Sequence, residues 1–253
     1  MSQRPANGET RRAEGEGRTT ASGQRVAGII GGIAPESTIA YYRQILAAWR
    51  ERHPDGSHPS LVINSIDLKK LLALVAAEEF DELTDWLLRE LQRLAGAGAD
   101  FALFASNTPH VVFPNVRRRS PLPLLSIVEA TCEHAQSLGL RRLGIFGTRF
   151  TMQGRFYRDV FSKAGIELIA PPSGEQQWIH DKYLGELVNA VFLDTTRDGL
   201  LAIAQRLASR DRIDGLILGG TELPLILNED SGPVPFLDTT KIHVARVVRE
   251  LGS

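Results

Sequence analysis

The chain holds a single cysteine among its 253 residues. Cys132 therefore has no internal disulfide partner, and no thiolate metal site can be built. It lies in SIVEATCEHAQSL, which reads as an amphipathic helix, where a free cysteine serves as a small buried hydrophobe. Without a disulfide scaffold, the cytoplasm is the expected compartment. Long apolar runs are also lacking. No stretch approaches the roughly 18 residues that span a bilayer, so no membrane partner is expected. An excess of charge of either sign is missing as well. The 29 Lys and Arg residues stand against 30 Asp and Glu, which gives no reason to expect nucleic acid. Residues 1–24, MSQRPANGETRRAEGEGRTTASGQ, are nearly empty of large apolar side chains. Such a segment cannot bury enough surface to offset its ordering entropy, and it lacks the apolar core of a secretory signal. A solvated, disordered tail is expected there.

From Val26 the texture changes. VAGIIGG is a short apolar run ending in glycines, and STIAYYRQILAAWRER has apolar residues at helical spacing. LVINSID and FALFASN read as strands, with one long amphipathic helix between them from about Leu68 to Ala95. PLPLLSI is a further strand, followed by a helix from about Val128 to Leu138. At Leu143 the pattern starts again. LGIFGTR, IELIAP and GLILGG read as strands. Helices are expected in GRFYRDVFSKAG, from Glu175 to Val191, from Thr195 to Ala208, and from about Thr239. Apolar strands alternating with helices predict α/β architecture with parallel sheets covered on both faces. With 43% hydrophobic content the chain can bury a substantial core.

The two halves also resemble each other. GIIGGIAPESTIAYYRQI at Gly28 aligns without gaps with GIFGTRFTMQGRFYRDVF at Gly144, pairing Gly31 with Gly147 and Tyr41 with Tyr157. FALFA leads into Ser106-Asn107-Thr108-Pro109, and GLILG leads into Gly220-Thr221-Glu222-Leu223-Pro224. Two pseudo-symmetric Rossmann-like lobes follow, expected over 25–132 and 133–253, with the C-terminal helix free to cross back to the first lobe. A ligand is expected in the cleft where the strand ends of both lobes converge.

The glycine turn Gly28–Glu36 sits between a strand and a helix, so its backbone can approach a ligand closely and offer N–H groups to an anion. Its G-x-x-G-G spacing is neither a dinucleotide fingerprint nor a P-loop. A small carboxylate fits better than a nucleotide; a plain tight turn is the alternative. SNTPH (Ser106–His110) and GGTELP (Gly219–Pro224) place small hydroxyl and amide groups after buried strands. Helix capping explains one such segment; two at equivalent positions favour binding.

GGIAPESTIAYYRQI, SNTPH and GGTELPLIL together resemble the GGMGPEAT…FY, C-N-T-x-H and G-C-T-E-L motifs of the aspartate/glutamate racemase superfamily. The resemblance runs from Val26 to the C terminus with the motifs in order. It implies a small amino or carboxylic acid held between the lobes, no metal or pyridoxal cofactor, and a homodimer. In that family two cysteines act on opposite faces of the substrate, one removing the α-proton and the other returning a proton. The motif match implies that Asn107, Thr108 and Thr221 hold the substrate. Gly32, Pro35 and Glu36 shape the first-lobe wall, and Asn64 and Lys182 join the binding set. At the cysteine positions stand Ser106 and Gly220. A serine hydroxyl is a far weaker acid than a thiol and needs a base beside it; glycine has no side chain. The two-thiol mechanism therefore cannot run as written.

Three readings stay open. One is a different acid–base set, with Ser106, Glu222 and His110 as first candidates and His180, Tyr183, Asp238 and His243 also available. Another is a changed reaction, a lyase, decarboxylase or cis–trans isomerase. The last is a carboxylate-binding protein without catalysis. Glu222 either enters the site or caps the following helix, and His110 either enters it or packs behind it.

Overall fold

A computed structural model describes residues 24–228 and 232–253. The tail expected over 1–24 falls, up to residue 23, outside the described residues. The first half builds β1 (Val26–Gly31), α1 (Pro35–Arg52), β2 (Ser60–Ser65), α2 (Leu68–Ala76), α3 (Phe80–Gly96) and β3 (Phe101–Phe104). A 3-10 turn at Thr108–Val112 leads into α4 (Phe113–Arg119), β4 (Leu124–Leu125) and α5 (Ile127–Ser137). The second half builds β5 (Arg142–Phe146), α6 (Arg149–Gln153), α7 (Arg155–Lys163), β6 (Glu167–Ile169) and α8 (Ser173–Gly185). It closes with α9 (Asp194–Arg206), β7 (Gly215–Leu218), β8 (Phe236–Asp238) and α10 (Thr239–Leu251).

The strand orders are β2-β1-β3-β4 and β6-β5-β7-β8, parallel throughout, so the duplication extends to topology. In each sheet the chain reverses its winding between the first and third strands of its half. The crevice beyond the carboxyl ends of those strands is where such folds bind ligands. Four segments meet there: Ile33 and Ala34 after β1, Ser106–Thr108 after β3, Thr148 after β5, and Gly219–Glu222 after β7.

The lobes exchange helices. α5 follows β4 of the first sheet, yet Ile127, Val128 and Ala135 pack with Leu143, Ile145 and Ile217 of the second. α10 follows β8 of the second sheet, yet Val244, Val247 and Leu251 pack with Ala27, Ile29 and Leu103 of the first. The two crossing helices also pack on each other. Position 132, the expected lobe boundary, thus falls inside α5. Equivalent caps start both helices: Ser126 accepts from the Glu129 N–H at 3.3 Å, and Asp238 accepts from the Thr240 and Lys241 N–H groups at 2.8 and 3.0 Å. The paired tyrosines lock the exchange. Tyr41 shares a 2.8 Å hydrogen bond with His243 of α10. Tyr157 has Thr131 of α5 beside its phenol. Cys132 is buried in α5, and burial pushes its thiol up.

Two expected helices come out divided. The run from Leu68 to Ala95 breaks after Ala76, where Glu78 takes a left-handed φ of 56° and the Glu79 N–H bonds back to the Leu74 carbonyl. Apolar periodicity passes through such a one-turn reversal without a mark. The segment from Glu175 to Val191 ends as a helix at Gly185 and continues as a 3-10 turn at Leu187–Asn189.

Because α10 belongs to the core of the first lobe, the lobes are expected to unfold together. In urea, the fluorescence of Trp49 and of Trp178 should report one coincident transition. Leu251→Ala should lower that stability by about 2–5 kcal/mol in both reports. A first lobe that melts alone, leaving Trp178 unchanged, contradicts the exchange.

Candidate active site

The cleft between the lobes is nearly closed. Its free volume is about 20 Å³, room for one or two waters and not for an amino acid. A ligand therefore enters only if the lobes part. Its polar wall combines Ser106, Asn107 and Thr108 of the first lobe with Thr221 and Glu222 of the second. Ile33 and Ala34 bring the backbone of the glycine turn to the same cleft. Gly32 sits at φ 77° against Ile66, with a Cβ there only 2.7 Å from the Ile66 nitrogen, so no larger residue fits. Ala34 holds φ 64° without being glycine, a strained conformation of the kind that gathers at binding sites. α1 begins beside it with no side-chain cap, leaving N–H groups free at the cleft edge.

Asn107 is fixed from the opposite lobe. Its carbonyl oxygen accepts from the Tyr157 hydroxyl at 2.7 Å, and its amide donates to Thr239 at 3.4 Å. Thr239 in turn donates to the Leu218 carbonyl at 2.8 Å. This chain leaves the second amide hydrogen of Asn107 for a ligand.

The second cysteine position holds the least expected arrangement. A Cβ at Gly220 would lie 2.8 Å from the Tyr183 hydroxyl oxygen, with a ring carbon nearer still. The phenol, carried on α8, fills the space a second-lobe thiol would take. Its hydroxyl donates to Glu222, which also accepts from Thr221 at 3.0 Å. Glu222 is fully buried, and its other oxygen, Oε1, has no partner. Burial raises the Glu222 carboxyl above the ordinary range, and the negative charge of Glu36 pushes the same way. Burial, then the Glu222 charge, raises Tyr183. The proton between them therefore rests on the phenol, with a carboxylate behind it that burial makes more basic than an ordinary one. Glu222 starts a 3-10 turn but makes no side-chain cap to it, so its side chain serves the cleft and not the helix.

Several expected residues lie elsewhere. His110 packs behind the motif, stacked on Phe113 with ring centroids 4.6 Å apart and bonded to the Asn107 carbonyl at 3.2 Å. Burial lowers its pKa to about 3. It stands as a neutral packing group and does not line the cleft, where a catalytic part was expected of it. Lys182, expected to hold a substrate carboxylate, pairs with Glu186 one helical turn on and does not line the cleft. Asn64 donates to Glu90 at 2.8 Å on the α3 side of β2, also outside the cleft. Pro35 is exposed at the start of α1, while Glu36, half-buried beside it, is felt by Glu222. His180 accepts from the Arg149 N–H at 3.2 Å, and His243 is spent on Tyr41. Among the described residues, no group of three or more His, Cys, Asp or Glu converges as a metal site.

Residues 30–247 match the model of the Asp/Glu/Hydantoin racemase family, so the chain belongs to that family. Among its relatives of known structure, a candidate Asp/Glu racemase from Yersinia pestis is 30% identical with a TM-score of 0.83, over 90% of this chain and 100% of that one. An aspartate racemase homologue from Pyrococcus horikoshii is also 30% identical, with a TM-score of 0.78 over 91% of this chain and 100% of that one. A glutamate racemase of Aquifex aeolicus is 25% identical over 144 residues, 54% of this chain and 51% of that protein.

Two outcomes test this geometry. Gly220→Ala forces Tyr183 to move and should cost about 1–3 kcal/mol in urea unfolding. In a Tyr183→Ala background the same change should cost almost nothing. Equal costs in both backgrounds would remove Tyr183 from the thiol's place. Acid sensitivity checks the buried histidines. Burial lowers both His110 and His243 to about 3. Their stabilising contribution is complete above the unfolded value near pH 6.5 and is lost as pH falls toward 3. Each histidine should remove about 1.4 kcal/mol per pH unit across that window. A wild-type stability that is flat from pH 6.5 to 5 would contradict their burial.

Proposed function

We propose that this family member moves a proton at the carbon next to the carboxylate of a small amino or carboxylic acid, using neither a cofactor nor a thiol. The observation that carries the reading is the buried Glu222 carboxylate, unpartnered at Oε1 and bonded through its other oxygen to a phenol in a thiol's place. A weak carbon acid needs a strong base and fixed donors for the charge that develops. The Tyr183 oxygen takes the α-proton while its own proton passes to Glu222. The C–H electron pair moves into an enediolate at the substrate carboxylate. Asn107, Thr108 and the free N–H groups of Glu36 and Ser37 at the start of α1 stabilise that charge. Reversal returns a proton to carbon, and every atom balances.

Racemisation needs a second group on the opposite face. Ser106 stands there, seven per cent exposed, with no base bonded to its hydroxyl. That asymmetry favours a second reading, in which protonation is one-sided and the reaction is a decarboxylation or an isomerisation. A homodimer and a cytoplasmic setting belong to the same proposal. Ile39, Tyr42 and Ile63 are large apolar side chains exposed on the first lobe, and among the described residues no helix is long and apolar enough to cross a membrane.

Incubation in D2O with amino acids and simple carboxylic acids tests the proposal. Deuterium should enter at Cα, and Glu222→Gln should slow its entry by about 10²–10⁴-fold. Ser106→Ala separates the readings: a two-sided enzyme loses inversion and keeps exchange, whereas a one-sided enzyme keeps both its exchange and its product. Binding without exchange or carbon dioxide release for every acid would leave a binding protein.

A further inference from the structure

The proton-transfer site has a second end whose chemistry departs from the acidic substrates in the family's name. Ile33 of the glycine turn, Leu68 and Leu72 of α2, and Leu184 and Val188 on and after α8 line the cleft. These five apolar side chains come from both lobes and face the volume that opens when the lobes part. No Lys or Arg is among the described residues lining the cleft. The lysine expected to reach it, Lys182, is held by Glu186, which Thr196 also binds. The charges that do act on the site are negative: Glu222 within it and Glu36 beside it.

One carboxylate is provided for. The side-chain amide of Asn107, the Thr108 hydroxyl and the uncapped start of α1 are hydrogen-bond donors at the polar end, while the Thr221 hydroxyl is already donated to Glu222. A second carboxylate, as on aspartate or glutamate, would lie against leucine and valine with no cation to offset its desolvation, in the field of two glutamates. An apolar side chain in the same place removes hydrocarbon from water at both surfaces.

We infer that the cleft selects a monocarboxylic acid with an apolar side chain, aliphatic or aromatic, and discriminates against aspartate and glutamate. The inference rests on the proposed site but not on its chemistry, because selectivity is read in binding.

Calorimetry should be run on the full chain with both enantiomers of leucine, phenylalanine, aspartate and glutamate, with Cα deuteration followed in parallel. Leucine or phenylalanine should bind about tenfold or more tighter than either acidic amino acid. Leu72→Arg, half-buried at the apolar end, should reverse that order by supplying the cation. Aspartate or glutamate bound as tightly as leucine and phenylalanine by the wild type would overturn the inference, as would absence of binding by every acid in the panel. Apolar preference without deuteration would uphold it and sink the proton-transfer reading instead.

Discussion

The packing of α5 on α10 governs the molecule. Each helix is made by one half of the chain and buried on the sheet of the other. Neither sheet has both faces covered without a helix from its partner, so neither lobe is complete alone. The consequence for function is geometric. The carboxyl ends of both sheets are held toward one cleft, and the residues that follow β3 and β7 face each other across it. Cross-lobe bonds refine that placement: Tyr157 and Thr239, from the second half, set the rotamer of Asn107 in the first.

Within this frame, Ser106 and Gly220, the two positions matched to the family's cysteine motifs, are built differently. On the second-lobe side there is no void. Gly220 makes room, Tyr183 fills it, and Glu222 stands behind the phenol with a carboxylate that burial makes more basic. On the first-lobe side Ser106 has a hydroxyl and no base. In the proposed reaction, a site with an acid–base pair on one side only is suited to protonating one face of a planar intermediate. The nearly closed cleft adds a further requirement, since solvent must leave and the lobes must part before any acid can enter.

Much of this was legible in the sequence. Alternating apolar strands and helices give the parallel sheets, and the pairing of Gly28 with Gly144 and Tyr41 with Tyr157 gives the duplication. The motifs around Ser106 and Gly220 identify the cleft. What stayed hidden depends on tertiary contact. Tyr183 reaches Gly220 from another helix, and nothing local in either segment signals it. His110 sits in a binding motif but faces Phe104 and Phe113, and sequence position cannot tell the front of a turn from its back. The fate of Lys182 did leave a trace: Glu186 stands four residues on, the spacing of a helical ion pair that competes for the ammonium. The break at Glu78 depends on one left-handed residue, which a run of apolar periodicity does not reveal.

In the proposed reaction a phenol, backed by a buried carboxylate, takes the part of the family's second-lobe thiol. The most direct measurement is the rate of Cα deuteration by Tyr183→Phe, which keeps the ring over Gly220 and removes only the hydroxyl. Exchange should fall by about 10²-fold or more while ligand affinity stays close to that of the wild type. An exchange rate equal to the wild type's would contradict it.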